Sequence, residues 1–130
     1  MRKLFVFIRN TGLYEFNKDD KKFNLVEESK FFDTKLKTIN GFHIIDDNKI
    51  FITRGSGIYI SNNDELKKID YENKIINETT IYRSYQLKNS NIALATYDGI
   101  FILNKSLEII DHFDIFYQIF FCVLSLFDSK

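Results

Sequence analysis

The sequence predicts an all-β protein, a partial β-propeller with about two complete four-stranded antiparallel blades and a partial blade at each end. A nine-residue apolar pattern ends on glycine three times, at Gly12, Gly57 and Gly99, so the repeats lie 45 and 42 residues apart. Periods in this range are typical of blade repeats. The chain also contains no proline, and clusters of Asn, Asp and Lys separate its short β-rich runs. Such spacing is typical of consecutive antiparallel strands.

The predicted strands follow this repeat in chain order. A partial blade at 1–28 lacks its opening strand, complete blades cover 41–71 and 80–113, and 122–130 resembles the first strand of a further blade. Segment 19–38 shows no sustained helical period, and we expect an outer strand followed by a long connection there. The predicted strands are Leu4–Ile8, Gly12–Asn17, Phe23–Glu28, Gly41–Asp46, Lys49–Thr53, Gly57–Ser61, Glu65–Tyr71, Ile81–Leu87, Asn91–Thr96, Gly99–Leu103, Leu107–Phe113 and Val123–Phe127.

The recurring glycine has a physical explanation. It opens the third strand of each blade directly after a tight loop, where glycine adopts a positive φ or a close backbone approach at little steric cost. The two residues that follow point to opposite faces of the strand, so each packs against a different neighbouring blade. The alternative is an unrelated meander in which glycine ends hairpins by chance.

Composition and charge argue against several classes of function. Because 18 basic residues balance 18 acidic ones, no global field attracts nucleic acid, and we expect no nucleic-acid partner. His43 and His112 fall at different blade positions, and Cys122 lies in an apolar run, so we predict no metal site, no cofactor and no catalytic residue. Asp46 and Asp47 could form an acid–base pair, but Asp-Asp-Asn between two strands indicates a turn.

For the chain as written, we expect neither an export signal nor a membrane anchor. Only five apolar residues precede Arg9, which is too few for a secretory signal. The apolar run at 115–127 has 13 residues, whereas a spanning helix needs about 20. As written, the chain is expected in the cytoplasm and without a membrane span.

The loops around the glycines resemble the two-component-regulator propeller repeats of bacteria. The strongest matches are TYDGIF at 96–101, RNTGLY at 9–14 and RGSGIY at 54–59. The tryptophan usual in the second strand of those repeats is replaced by Phe51 and Ala93. The resemblance implies a propeller in the sensor region of signalling proteins such as hybrid sensor kinases. Such regions are commonly periplasmic, and they bind ligands such as oligosaccharide fragments or serve as dimer scaffolds.

The candidate ligand-binding residues lie on loops that would line one face of the ring. Arg9 and Arg54 occupy equivalent repeat positions between the second and third strands, and Thr96 is their third equivalent, followed by Tyr97 and Asp98. An arginine near aromatic residues suits a carboxylate or a sugar, because it offers a planar set of donors and a stacking face. The alternative is that these arginines are solvated loop residues.

Together with the resemblance, these features predict a non-catalytic fragment of a sensory β-propeller, which serves ligand recognition or scaffolding in a bacterial two-component protein. The expected partners are the remaining blades, or a second copy of the chain, at the exposed blade edges, and an oligosaccharide or other small ligand. Within such a parent protein the location would be periplasmic. Two alternatives remain open: a fragment of a propeller-fold lyase or glycosidase, and a stand-alone protein-interaction module.

Overall fold

Three antiparallel sheets follow one another along the chain. The structure, a computed structural model, describes residues 3–8, 11–32, 38–63 and 65–114. In these residues the first sheet has three strands and the other two have four each, always in sequence order. The strands are β1 (Phe5–Ile8), β2 (Gly12–Asn17), β3 (Lys22–Leu25), β4 (Ile39–Ile45), β5 (Asn48–Thr53), β6 (Ile58–Asn62), β7 (Glu65–Lys68), β8 (Ile81–Gln86), β9 (Ile92–Thr96), β10 (Gly99–Leu103) and β11 (Ile109–Phe113). This is the predicted all-β, partial-propeller fold. The predicted strand at 123–127 lies outside the described residues.

The predicted strands within the described residues are confirmed, with differences at their ends. The third strand gives way to a 3₁₀ turn at Glu27–Phe31, and the strand predicted at 65–71 ends at Lys68. A short helix, α1 (Lys74–Glu78), follows and is not indicated by the sequence pattern. With five residues it is too short to show a helical period. It forms because the Asn73 side chain accepts a hydrogen bond from the backbone N–H of Ile75, while Ile76 is fully buried.

The three repeated glycines adopt the backbone conformation that the sequence predicts. Gly12, Gly57 and Gly99 have φ angles of 138°, 79° and 108°. Residues other than glycine rarely adopt such backbone angles. The glycines therefore recur because each loop turns back sharply before the next strand.

Aromatic side chains join the first and second sheets. Phe51 of β5 is fully buried and stacks on Phe32, with ring centroids 4.9 Å apart. The Phe42 ring lies 5.1 Å from the Phe51 ring. Leu13 of β2, and Val26 of the connection after β3, belong to the same buried cluster. Burial of these rings is the main stabilising contact between the two sheets.

Aliphatic side chains dominate the contact between the second and third sheets. The buried cluster includes Ile45, Ile50, Ile52 and Ile58 of the second sheet, Ile81, Ile92, Leu94, Phe101 and Leu103 of the third, and Ile76 of α1. At its edge the Tyr71 hydroxyl donates a hydrogen bond of 2.6 Å to the Leu107 carbonyl. Burial raises the pKa of Tyr71, so the hydroxyl keeps the proton that it donates.

Hydrogen bonds at the loop glycines establish which residues of the second and third sheets are equivalent. The Thr53 hydroxyl donates to the Gly57 carbonyl at 2.6 Å, and the Thr96 hydroxyl donates to the Gly99 carbonyl at 2.8 Å. These two threonines are therefore equivalent, although the sequence repeat aligns Thr96 with Arg54. That alignment is wrong by one residue, because the loop in the third sheet is one residue shorter.

A shift of one residue changes which side chains share a face of a sheet. Phe51 is equivalent to Leu94 and not, as the sequence alignment has it, to Ala93. Phe51 packs against the first sheet and Leu94 against the second, whereas Ala93 lies on the opposite face of the third sheet. We call the face that points to the preceding sheet the leading face, and the opposite face the trailing face.

An ion pair ties the 3₁₀ turn to the second sheet. The Glu28 side chain is 5% exposed and accepts hydrogen bonds from Lys49 Nζ at 2.8 Å and Ser61 Oγ at 3.2 Å. Burial raises the pKa of this carboxyl, but its hydrogen bonds and the charge of Lys49 outweigh burial and hold the pKa below the ordinary value. The pair therefore stabilises the fold above the ordinary pKa of glutamate, and this contribution is lost as the pH falls through the lower folded-state pKa.

Candidate functional site

Two equivalent loops, β5–β6 and β9–β10, contact a common segment at 79–81. The Arg54 carbonyl accepts a hydrogen bond of 2.7 Å from the N–H of Ile81, and the N–H of Tyr97 donates to the Thr80 carbonyl at 2.9 Å. The N–H of Arg54 likewise donates to the Thr38 carbonyl at 2.9 Å. Tyr97, and not Thr96, is therefore the structural counterpart of Arg54. We call residues 54–57, 79–81 and 97–99 the glycine-loop rim.

The rim brings together three of the four residues that the sequence indicates for ligand binding. Arg54 and Asp98 are exposed, and Tyr97 is 69% exposed. Arg9, the fourth, lies outside the described residues. The rim thus presents a guanidinium group and an aromatic ring on neighbouring loops, each of them accessible to a molecule in solution.

Asp98 is anchored by both its side chain and its backbone. Its Oδ2 accepts a hydrogen bond of 2.6 Å from the Thr79 hydroxyl, and its N–H donates to the Thr96 hydroxyl at 3.0 Å. His112 Nε2 lies 2.8 Å from the Asp98 carbonyl, and since a carbonyl only accepts, this nitrogen carries the hydrogen. These bonds hold the β9–β10 loop in place, so Asp98 orients the rim while Arg54 and Tyr97 face outward.

Thr79 of the rim and His112 of β11 both bind Asp98, yet sequence reasoning does not link either of them to this loop. Thr79 reaches Asp98 across 19 residues and His112 across 14. His112 pairs with Phe101 across β10 and β11, and the two rings stack at 4.0 Å with an interplanar angle of 10°. A strand-pairing argument could have found His112, whereas no local pattern marks Thr79.

A second polar contact joins β4 and β8, the opening strands of the second and third sheets. His43 Nε2 lies 2.7 Å from Ser84 Oγ, and the Asn40 amide donates to the Ile81 carbonyl at 2.7 Å. Burial lowers the pKa of His43 to about 4, so the ring is neutral at neutral pH. This histidine is a structural contact between two sheets.

We expect the burial of His43 to lower the stability of the chain by up to about 3 kcal/mol as the pH falls from about 6.5 to about 4. In this window the unfolded state binds a proton at its ordinary pKa of 6.5, whereas the folded-state pKa is about 4. The unfolded state therefore holds more protons, and stability declines as the pH falls. His43→Gln keeps a hydrogen-bonding side chain without titrating and should remove this part of the decline.

The measurement is urea unfolding at about pH 7, 5.5 and 4.5. His112→Gln, at an exposed histidine, is the matched control and should keep the His43-dependent decline. An equal decline in the wild type and His43→Gln would contradict the assignment to His43.

Two further properties concern only the residues that the structure describes. Among them, no three His, Cys, Asp or Glu side chains lie close enough together to hold a metal ion. Across the same ranges, the helices lack the length and apolar character needed to cross a membrane.

Comparison with known proteins gives a likeness of fold. No protein-family model matches the chain, and neither does any curated protein. A similar structure is the extracellular domain of a B. thetaiotaomicron protein assigned as a hybrid two component system, with a TM-score of 0.60 over 87% of this chain and 16% sequence identity. This chain spans 15% of the length of that one. The three sheets therefore have a fold related to part of that extracellular domain.

Proposed function

We propose that this chain is a non-catalytic segment of a sensory β-propeller and that it recognises a ligand at the glycine-loop rim. The observation that carries the proposal is the convergence of two equivalent loops on segment 79–81, with Arg54 exposed on one loop and Tyr97 exposed on the other. The likeness to the extracellular domain of a hybrid two component system supports a sensory role. Under this proposal the chain acts outside the cytoplasm, in the periplasm, as part of a larger two-component protein.

The hydrogen bonding of the polar groups around the rim supports a non-catalytic role. The Asp98 carboxylate accepts from Thr79, and His112 donates to a carbonyl. On the neighbouring inner strands, His43 is bound to Ser84. A general acid or base has to exchange protons with a substrate, and these groups serve instead to hold backbone and loops.

The chemistry of the rim favours an oligosaccharide that bears carboxylates. The Arg54 guanidinium can donate two parallel hydrogen bonds to a carboxylate. The Tyr97 ring, 69% exposed, offers a flat apolar surface on which a sugar ring can stack. The anchored Asp98 holds the loop that carries this ring, so the stacking contact is positioned before the ligand binds.

Isothermal titration of the folded chain with a uronic-acid tetrasaccharide tests this proposal, with the carboxyl-reduced tetrasaccharide as the comparison ligand. Arg54→Ala removes a charged hydrogen-bonding partner, so we expect at least about a tenfold loss of affinity. Tyr97→Ala removes the stacking surface and should weaken both sugars. Wild-type affinity for the reduced sugar should be lower, and Arg54→Ala should hardly change it.

The matched controls are Lys88→Ala and Tyr82→Ala, at an exposed cation and an exposed aromatic residue outside the rim. Both should bind the acidic tetrasaccharide as the wild type does. Recognition of acidic oligosaccharides at the rim would be refuted if the wild type does not bind the acidic tetrasaccharide. It would also be refuted if Arg54→Ala and Tyr97→Ala bind that sugar with wild-type affinity.

A further inference from the structure

One position of the last strand lies against the glycine loop in all three sheets. The aromatic residue two places after each repeated glycine pairs with a residue of the next strand: Tyr14 with Leu25, Tyr59 with Lys68 and Phe101 with His112. We call Leu25, Lys68 and His112 the loop-covering position. Residues two apart on a strand share a face, so this position lies diagonally opposite the glycine.

In the first and second sheets this side chain covers the glycine itself. A Cβ added to Gly12 would lie 2.9 Å from Leu25 Cδ1, and one added to Gly57 would lie 3.1 Å from Lys68 Cε. The aliphatic part of Lys68 therefore passes over Gly57. Its ammonium group, one bond beyond Cε, lies next to the β5–β6 loop that carries Arg54.

The three sheets place different chemistry at the loop-covering position. Leu25 is apolar, and His112 donates to the Asp98 carbonyl at 2.8 Å, so each of these two side chains is used by its own loop. Lys68 is exposed, and across the described ranges it forms no ion pair. An ammonium group has three N–H donors and no acceptor. The donors of Lys68 are therefore accessible to a ligand that supplies acceptor oxygens.

The acidic residue two places after Lys68 is bound to another lysine. Asp70 Oδ1 lies 2.8 Å from Lys74 Nζ. The hydrogen bond and charge of Lys74 hold the pKa of Asp70 below its ordinary value, and the charge of Lys68 contributes less. The β5–β6 loop, together with the side chain that covers it, therefore carries the two positive charges of Arg54 and Lys68 and no negative charge.

We propose that Lys68 is a second carboxylate-binding residue of the glycine-loop rim, so that an acidic oligosaccharide places two carboxylates at the β5–β6 loop. This inference rests on the function proposed above and adds a requirement to it. Arg54 binds one carboxylate through two parallel donors, and Lys68 binds the other as a compact charge. A sugar with two adjacent uronic-acid units meets this requirement, whereas a sugar with a single such unit does not.

Isothermal titration of the folded chain with the uronic-acid tetrasaccharide measures the contribution of Lys68. Lys68→Met keeps an unbranched stem over Gly57 and removes the charge, so we expect affinity to fall about twofold to fivefold, as for an exposed ion pair. Lys68→Arg keeps the charge and should bind as the wild type does. A tetrasaccharide with a single uronic-acid unit should bind the wild type and Lys68→Met equally.

Salt dependence separates a contribution of charge from one of packing. Raising the NaCl concentration from about 50 mM to about 500 mM should weaken binding by the wild type more than binding by Lys68→Met, because salt screens exposed charges. Lys67→Met is the matched control, since Lys67 is also exposed but lies on the trailing face of the same strand. It should keep the affinity and the salt dependence of the wild type.

The two proposals fail in different ways. If Arg54→Ala lowers the affinity for the tetrasaccharide and Lys68→Met does not, recognition at the rim stands and the inference about Lys68 is wrong. If the wild type does not bind the tetrasaccharide, recognition of acidic oligosaccharides is refuted, and a titration with the dicarboxylate glutarate decides on Lys68.

This titration follows the amide signal of Gly57 by NMR, with glutarate added to about 100 mM at constant ionic strength, a range that covers millimolar dissociation constants. The signal should shift in the wild type and Lys67→Met and shift less in Lys68→Met. Equal shifts in the wild type and Lys68→Met would overturn the proposal.

Discussion

Gly99→Ala is expected to destabilise the chain by at least about 3 kcal/mol, a large part of the 5–15 kcal/mol that is typical of a domain. The residue has a φ of 108°, and this conformation alone costs a residue other than glycine about 1–3 kcal/mol. An added Cβ would also meet the Phe113 carbonyl oxygen and lie 2.9 Å from the Asp114 Cα. Both are backbone atoms, so the chain around β10 and β11 would have to move.

Gly57→Ala is the matched control for this prediction. Gly57 also has a positive φ, 79°, but the nearest atom to its added Cβ is Lys68 Cε at 3.1 Å, on a flexible side chain that can move away. We expect a loss of about 1–2 kcal/mol from the backbone conformation. Urea unfolding followed by circular dichroism measures both variants. Equal losses at the two positions would show that the backbone contact at Gly99 contributes nothing.

Phe51→Ala is expected to cost about 3–5 kcal/mol, the range for removing a fully buried phenylalanine. The ring is 0% exposed, stacks on Phe32 at 4.9 Å and packs against the tilted ring of Phe42 at 5.1 Å. Its removal leaves a cavity between the first and second sheets, which cannot close because both backbones are held in hydrogen-bonded ladders. The first sheet should therefore detach at a lower denaturant concentration than in the wild type.

Urea unfolding gives the size of this effect, and hydrogen exchange gives its location. Exchange should increase most in β1, β2 and β3, because Phe51 is the centre of the aromatic cluster that holds the first sheet. Tyr82→Ala, at a residue 48% exposed, is the control and should change stability by less than about 1 kcal/mol. A loss below about 1 kcal/mol for Phe51→Ala would contradict the packing of the first two sheets.

The candidate site was only partly predictable from the sequence. Arg54, Tyr97 and Asp98 stand beside the repeated glycines, so the repeat was sufficient to locate them on loops. Their functions differ for reasons that lie far away in the chain: Thr79 and His112 bind Asp98 across 19 and 14 residues. These contacts anchor Asp98, while the side chains of Arg54 and Tyr97 stay exposed to solvent.

The fold class followed from local chemistry along the chain. The glycine spacing, the alternation of apolar residues and the Asn- and Asp-rich turns predicted the strands and the positive φ of Gly12, Gly57 and Gly99, because each depends on the conformational preferences of a few neighbouring residues. The equivalence between the second and third sheets depends on Thr53 and Thr96, whose hydroxyl groups close loops of different length. An alignment on glycines alone misses that difference, and in a strand a shift of one residue moves every side chain to the other face. Helix α1, which buries Ile76, and the burial of Phe51 likewise depend on which sheet lies against which, since packing between distant segments determines how much of each face is covered.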